Sequence, residues 1–213
     1  MTDIWREMLS GRPYDAMHPE LIRRLEATRE FIHRFNGMAP GDNAARESLL
    51  RELLGSCGKK IHINAPFRCD YGENIRVGEN FFANFNLTIL DEALVTIGDN
   101  AFIGPNVSIF TACHPLEAEA RNRMIEWAEA VSIGDNVWIG GNAVILPGVT
   151  LGHNVVVGAG AVVTKSFPDN CLIAGNPARI IRIIENGVSK AHPTDASEPS
   201  TDEQRASSDP HSA

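Results

Sequence analysis

The chain has 213 residues and a formal net charge of −8, a balance that argues against a general nucleic-acid binder. Aromatic residues make up 7%, so a core must be built mainly from Val, Ile, Leu and Ala. The opening MTDIWREMLSGR is charged throughout and reads as no secretory leader, and no apolar stretch approaches membrane-spanning length. Cys57, Cys69, Cys113 and Cys171 form no CxxC pair and read as reduced thiols, which points to a cytoplasmic protein.

The N-terminal segment, residues 1–58, reads as helical. After His18-Pro19, the residues Leu21, Ile22, Leu25, Thr28, Ile32 and Phe35 recur at three-to-four spacing until Gly37 and Pro40-Gly41 stop the pattern. Asp42 or Asn43 can cap a second helix with Leu49, Leu50, Leu53 and Leu54 on its apolar face. The expectation is a helical hairpin packed on a larger body, because some forty residues rarely bury enough core alone.

From residue 61 the texture changes. Written in sixes from Ile133, the chain reads IGDNVW, IGGNAV, ILPGVT, LGHNVV, VGAGAV, VTKSFP. The first position is aliphatic every time, the fifth is small or apolar, and the second is usually Gly. The frame also runs from Val77 and, after a two-residue slip, from Ile97. Such a period fits a solenoid whose short strands each point one aliphatic side chain into a narrow column, with Gly or Asn turning the corners at positive φ. An ordinary α/β fold does not fit, since no helix-length amphipathic segment separates the strands before residue 180.

The polar segment 114–130, HPLEAEARNRMIEWAEA, breaks the frame without losing its phase, since Ile109 and Ile133 are 24 residues apart. A polar insertion at a solenoid corner is a common place for binding residues, and otherwise a tolerated loop. NPARIIRII (176–184) reads as a closing strand or helix. Residues 185–213 have the composition of a disordered acidic tail, which leaves 59–184 as the solenoid domain.

YDAMHPEL (14–21), FRCDYGENI (67–75), FFANFNLTILD (81–91), the HP of TACHP, GDNVWIGG (134–141) and GNPARII (175–181) appear in this order. They resemble the hexapeptide-repeat acetyltransferases of the maltose/galactoside O-acetyltransferase group, which includes nodulation-type sugar acetyltransferases. The resemblance covers roughly residues 5–184. It implies a mainly β fold, a left-handed parallel β-helix, in a homotrimer with sites between subunits. It further implies direct transfer of acetyl from acetyl-CoA to a sugar hydroxyl, with no metal required.

His114 matches the family's catalytic histidine, and imidazole suits proton abstraction from a poorly nucleophilic hydroxyl. Asn84, Asp91 and Glu92 match acceptor-contacting positions, with turn geometry as their ordinary role. Asp15 sits near an acidic acceptor contact of some relatives, one position from the better match at Ala16. For CoA the matching positions are Trp138, Gly141, Ala159, Thr164, Lys165, Arg179 and Arg182. The cations suit nucleotide phosphates, and Gly141 and Ala159 keep a groove wall low. Cys113 beside His114 reads as a small buried residue and not a nucleophile. Glu126 stands where one relative has an apolar acceptor contact.

Three other readings compete. A xenobiotic or serine O-acetyltransferase would use the same fold on another acceptor. A γ-class carbonic anhydrase would need a second histidine five residues after the first, and position 119 is Glu. A noncatalytic solenoid scaffold would bind no CoA.

Overall fold

The computed structural model describes residues 3–185, so the acidic tail from residue 186 lies outside the described residues. The N-terminal part holds α1 (Asp3–Leu9), β1 (Tyr14–Asp15), α2 (Pro19–Asn36) and α3 (Asn43–Leu53). The first solenoid coil is β2 (Ile61–Ile63), β3 (Phe67–Cys69) and β4 (Ile75–Val77), and the second is β5 (Phe81–Ala83), β6 (Leu87–Leu90) and β7 (Val95–Ile97). The third begins with β8 (Phe102–Ile103) and β9 (Ser108–Phe110). There it is interrupted by β10 (Ala112–Cys113), α4 (Ala118–Asn122) and β11 (Ile125–Ala128), and β12 (Val131–Ile133) closes it. Then follow β13 (Trp138–Ile139), β14 (Val144–Ile145) and β15 (Thr150–Leu151), then β16 (Val156–Val157) and β17 (Val162–Val163). The stack ends with β18 (Cys171–Ala174) and an antiparallel cap, β19 (Arg179–Ile183).

Parallel pairing between coils stacks these strands into three faces. Face one is β4, β7, β12, β15; face two is β2, β5, β8, β13, β16, β18; face three is β3, β6, β9, β14, β17. This is the expected left-handed parallel β-helix, of about 6 turns. Positions one and five of the hexads fill its axis: Ile133, Ile139, Ile145, Leu151, Val157 and Val163 are buried, as are Val137, Ala143, Val149, Val155, Ala161 and Phe167. Chain length per coil follows the sequence frame. Ile61 faces Phe81 and Thr88 faces Ser108 in twenty-residue coils, whereas Ser132 faces Thr150 in one of eighteen.

Asparagine turns corners as expected, with Asn100, Asn136 and Asn154 at φ of 56°, 58° and 55°. The second-position glycines have a different cause. They lie outside the positive-φ region, and a Cβ on Gly140 would stand 2.6 Å from the Ala159 backbone nitrogen in the next coil.

The two surplus residues of each early coil bulge from one corner, between faces three and one. Asp70–Tyr71 leave it in the first coil and Asp91–Glu92 in the second, and segment 111–130 leaves it in the third. That insertion is more than a polar loop. Strand β11 runs back along β10 and also pairs with β1, so a small antiparallel sheet ties the N-terminus to the corner.

The hairpin α2–α3 packs on this body as expected. Phe35 meets Phe67 edge to face at 6.3 Å, and the Asn36 side chain bonds both backbone groups of Phe67 at 2.9 and 2.8 Å. Helix α1 was not apparent from the sequence. It seats Trp5 and Met8 in a second small core with Tyr14, Leu21 and Tyr71. Among the described residues no helix is long and apolar enough to cross a membrane.

Candidate active site

The expected site residues fall into two groups on different corners of the triangle. The first is the acidic corner. His114 follows β10, with its side chain about half exposed, and its Nδ1 lies 3.6 Å from Glu126 Oε1. Glu126 sits on β11 directly across from Tyr14, whose hydroxyl donates to Glu126 Oε2 at 3.0 Å. Burial and the facing carboxylates push the Tyr14 phenol far above its ordinary pKa, so it stays a donor. The carboxylate is thus held on one oxygen and offers the other to the imidazole.

Beneath this pair lie Glu92, Asp70 and Asp91. Glu92 is 8% exposed, and the Thr111 hydroxyl lies 3.2 Å from its Oε2. Burial first, then Asp70 beside it, pushes the Glu92 carboxyl well up, so it holds a proton at neutral pH. Cys113 is also held as a thiol, by burial and by Glu129 and Glu92. That fits its reading as a non-nucleophile, since only the thiolate attacks.

Two of the expected acceptor residues, Asp91 and Asp15, do not face a groove. Asp91 is wholly buried; its Oδ1 accepts the N–H groups of Asp70 at 3.0 Å and Tyr71 at 2.9 Å. It ties successive coils together at the corner. Asp15 is exposed, and its Oδ1 accepts the Met17 N–H at 2.9 Å, making the turn before α2. Strand alternation sends Tyr14 inward and Asp15 outward, and the residue reaching Glu126 is Tyr14. Tyr14 and Glu126 are 112 positions apart in sequence, and only their strand pairing reveals the link.

The second group lies at the corner between faces two and three. Asn84, Trp138, Gly141 and Ala159 line one groove of about 500 Å³, together with Phe82, Phe102 and Leu172. Glycine and alanine keep its floor open to backbone amides, and Trp138, 58% exposed, forms a flat wall. The sequence did not disclose the aromatic run leading into it. His62 stacks on Phe82 at 5.6 Å, and Phe82 lies 6.3 Å from Phe102, which pairs in register with Trp138.

The cations stand at the C-terminal end of the stack. Arg182 is the cross-strand partner of Leu172, which lines the groove. Ala178 donates its N–H to Val162 O at 2.8 Å, setting Arg179 over β17, and Thr164 and Lys165 follow that strand. None of these four lines the groove itself. An elongated ligand with apolar and amide parts and an anionic end fits this arrangement.

His114 does not line that groove either. One side of the triangle separates the two corners, roughly 15 Å at ~3.3 Å per extended residue.

The Maltose acetyltransferase hexapeptide capping motif matches residues 7–58, and the Hexapeptide repeat of succinyl-transferase matches residues 94–111 and 130–165. The galactoside O-acetyltransferase of Escherichia coli is 44% identical over 177 residues, covering 83% of this chain and 87% of that protein. Nodulation protein L of Rhizobium meliloti is 47% identical over 175 residues, covering 82% and 95%. The chain belongs to the maltose/galactoside acetyltransferase family. It is therefore an acetyltransferase, and the structural likeness agrees. A maltose O-acetyltransferase from Clostridium difficile superposes with a TM-score of 0.85 at 49% identity, covering 87% of this chain and 98% of that one. A galactoside acetyltransferase solved in complex with coenzyme A gives 0.83 at 37% identity, covering 97% and 100%.

Proposed function

We propose that this chain transfers acetyl from acetyl-CoA directly to a sugar hydroxyl, with His114 as general base. The observation that carries this is the orientation of His114. With Nδ1 directed at Glu126, Nε2 is free to face an acceptor. Nε2 takes the hydroxyl proton as the oxygen attacks the thioester carbonyl, so no free alkoxide forms. The tetrahedral intermediate collapses, expels the CoA thiolate, and the imidazolium returns its proton to sulfur. The oxyanion needs an N–H donor, which backbone amides in the groove can supply.

The placement of the residues supports a homotrimer with sites between subunits. One corner has the base and the other has the groove, and within one chain they face apart. Phe102 and Trp138, paired in register on face two, are each more than half exposed, apolar surface of the kind a neighbouring solenoid covers. In the trimer, His114 of one subunit meets the groove of the next, where acetyl-CoA lies with its phosphates toward Lys165, Arg179 and Arg182. Glu92 faces the acceptor hydroxyls from beneath the insertion, and Asn84 does so from the groove.

The test is CoA release, followed with a thiol reagent, from acetyl-CoA across maltose, glucose, galactosides, chitin-type oligosaccharides, serine and chloramphenicol. Sugar-dependent release that falls about 100- to 10,000-fold in His114→Ala is the expected result. Release only with serine or chloramphenicol would move the enzyme to another acceptor class. Absence of CoA binding would overturn the reading.

A further inference from the structure

Helix α2 leans over the outer side of face three, and the two enclose a cleft of about 500 Å³ that the transfer chemistry leaves unused. Arg29, His33 and Asn36 line it from the helix at near one-turn spacing, and Arg68, Thr88 and Leu90 line it from the strands. Asn36 is occupied by the backbone of Phe67. The side chains of Arg29, His33 and Arg68 are not: among the described residues none of the three has a side-chain hydrogen bond or ion pair. On the same helix Arg23 and Arg24 are both bonded to Glu20, and Arg24 also to Glu73. Two guanidinium groups and an imidazole therefore line one concavity that holds a single carboxylate, Asp70, in a chain with net charge −8. An anion entering there meets two forked donors whose charge Asp70 offsets only in part.

Asp70 also lines the cleft and offsets one of the two guanidinium charges, and its carboxyl is hydrogen-bonded to Glu92. That contact joins the cleft to the acidic corner. Leu90, also in the cleft lining, accepts from the Thr111 hydroxyl at 2.9 Å, three residues before His114. Asp70 and Leu90 thus connect the cleft lining to the corner that carries His114, which does not itself line the cleft.

We propose that the cleft between α2 and face three binds a carboxylate or phosphate on the acceptor, so that the substrate class is an acidic saccharide. This rests on the acetyl-transfer reading of His114, and two readouts keep the ideas apart.

The first needs no turnover. Melting temperature is measured with glucose, glucuronic acid or glucose 1-phosphate at constant ionic strength, in the native chain and in Arg29→Gln/Arg68→Gln. At least one acid should stabilise the native protein more than glucose does, and the double exchange should abolish that difference. Which acid does so separates carboxylate from phosphate. The Arg29→Lys/Arg68→Lys protein retains charge and should recover part of the difference, which guards against a merely misfolded variant. No extra stabilisation by either acid, or extra stabilisation that survives the Gln exchange, overturns the cleft.

The second readout is the ratio of kcat/KM for a glucuronate-containing disaccharide over maltose. It should exceed about 10 in the native enzyme and fall toward one in the Gln variant. An equal ratio in both proteins overturns the proposal. If no sugar supports CoA release, the acetyl-transfer reading fails and the melting experiment alone decides the cleft.

Discussion

His114 Nδ1 stands 3.6 Å from Glu126 Oε1, while the other oxygen of that carboxylate takes the Tyr14 hydroxyl at 3.0 Å. The proposed base is thus oriented by a residue of the insertion that is itself held by the N-terminal strand. Glu126 acts through His114 and is a positioning residue.

Replacing Glu126 with Gln should lower kcat roughly 10- to 100-fold, the range seen when a hydrogen-bonded orienting group is lost, with little change in KM for acetyl-CoA. Tyr14→Phe should cost less, because the carboxylate remains. Steady-state kinetics on the three proteins checks the order. A Tyr14→Phe loss as large as that of Glu126→Gln would mean that β1 shapes the corner in another way.

Asp91 gives a pH signature. Its carboxyl is wholly buried, and burial pushes it up to about 7 against the backbone N–H groups of Tyr71, Asp70 and Gly72 that favour its charge. Because the folded pKa lies above the unfolded one, the native state holds the proton more tightly. The associated stability is fully present below the unfolded value of 3.8 and is lost as pH rises through about 7. Asp91→Asn keeps an acceptor for Asp70 and Tyr71 and removes the ionisation. Its melting temperature should therefore fall less than that of the native chain between roughly pH 4 and 7. Glu92, also pushed up, leaves a residual slope.

Gly140 couples coil stacking to the groove. A methyl group there meets the backbone nitrogen of Ala159, itself a groove residue. Gly140→Ala should destabilise the fold by about 1–3 kcal/mol through overpacking and raise KM for acetyl-CoA. Chemical denaturation and kinetics read the two effects. An unchanged KM would separate Ala159 from cofactor binding.

Ile139 is fully buried on the axis between Ile103 and Val157. Truncation to Ala should cost about 2–5 kcal/mol, measured by denaturant unfolding.

The apolar stripe on face two has a consequence for assembly. A carboxylate introduced by Phe102→Asp would be trapped without a partner in the proposed interface, so light scattering should show a shift from trimer toward monomer. A native chain that is a stable monomer would remove the shared site.

The hexad frame was legible because one aliphatic residue per short strand is a local requirement that repeats at every coil. Ile133 through Val163 therefore announce the axis, and Asn100, Asn136 and Asn154 announce the corners. The same locality made the hairpin of α2 and α3 readable from its apolar spacing. Helix α1 is too short to show a period, and Trp5 and Met8 become core residues only when Tyr71 is brought beneath them.

What the sequence determined by itself was the kind of molecule: a parallel solenoid of this family, with His114 opening the polar insertion and Trp138, Gly141 and Ala159 sharing a groove. Tertiary structure alone decided which polar residues surround His114. Asp91 and Glu92 are neighbours in the chain, yet coil stacking gives Asp91 to the backbone of Asp70 and Tyr71 and leaves Glu92 beneath the insertion. Tyr14, not Asp15, reaches Glu126 because strand pairing with β11 selects alternate side chains. Position on a corner is set by pairing between distant coils, and no local run of residues encodes it.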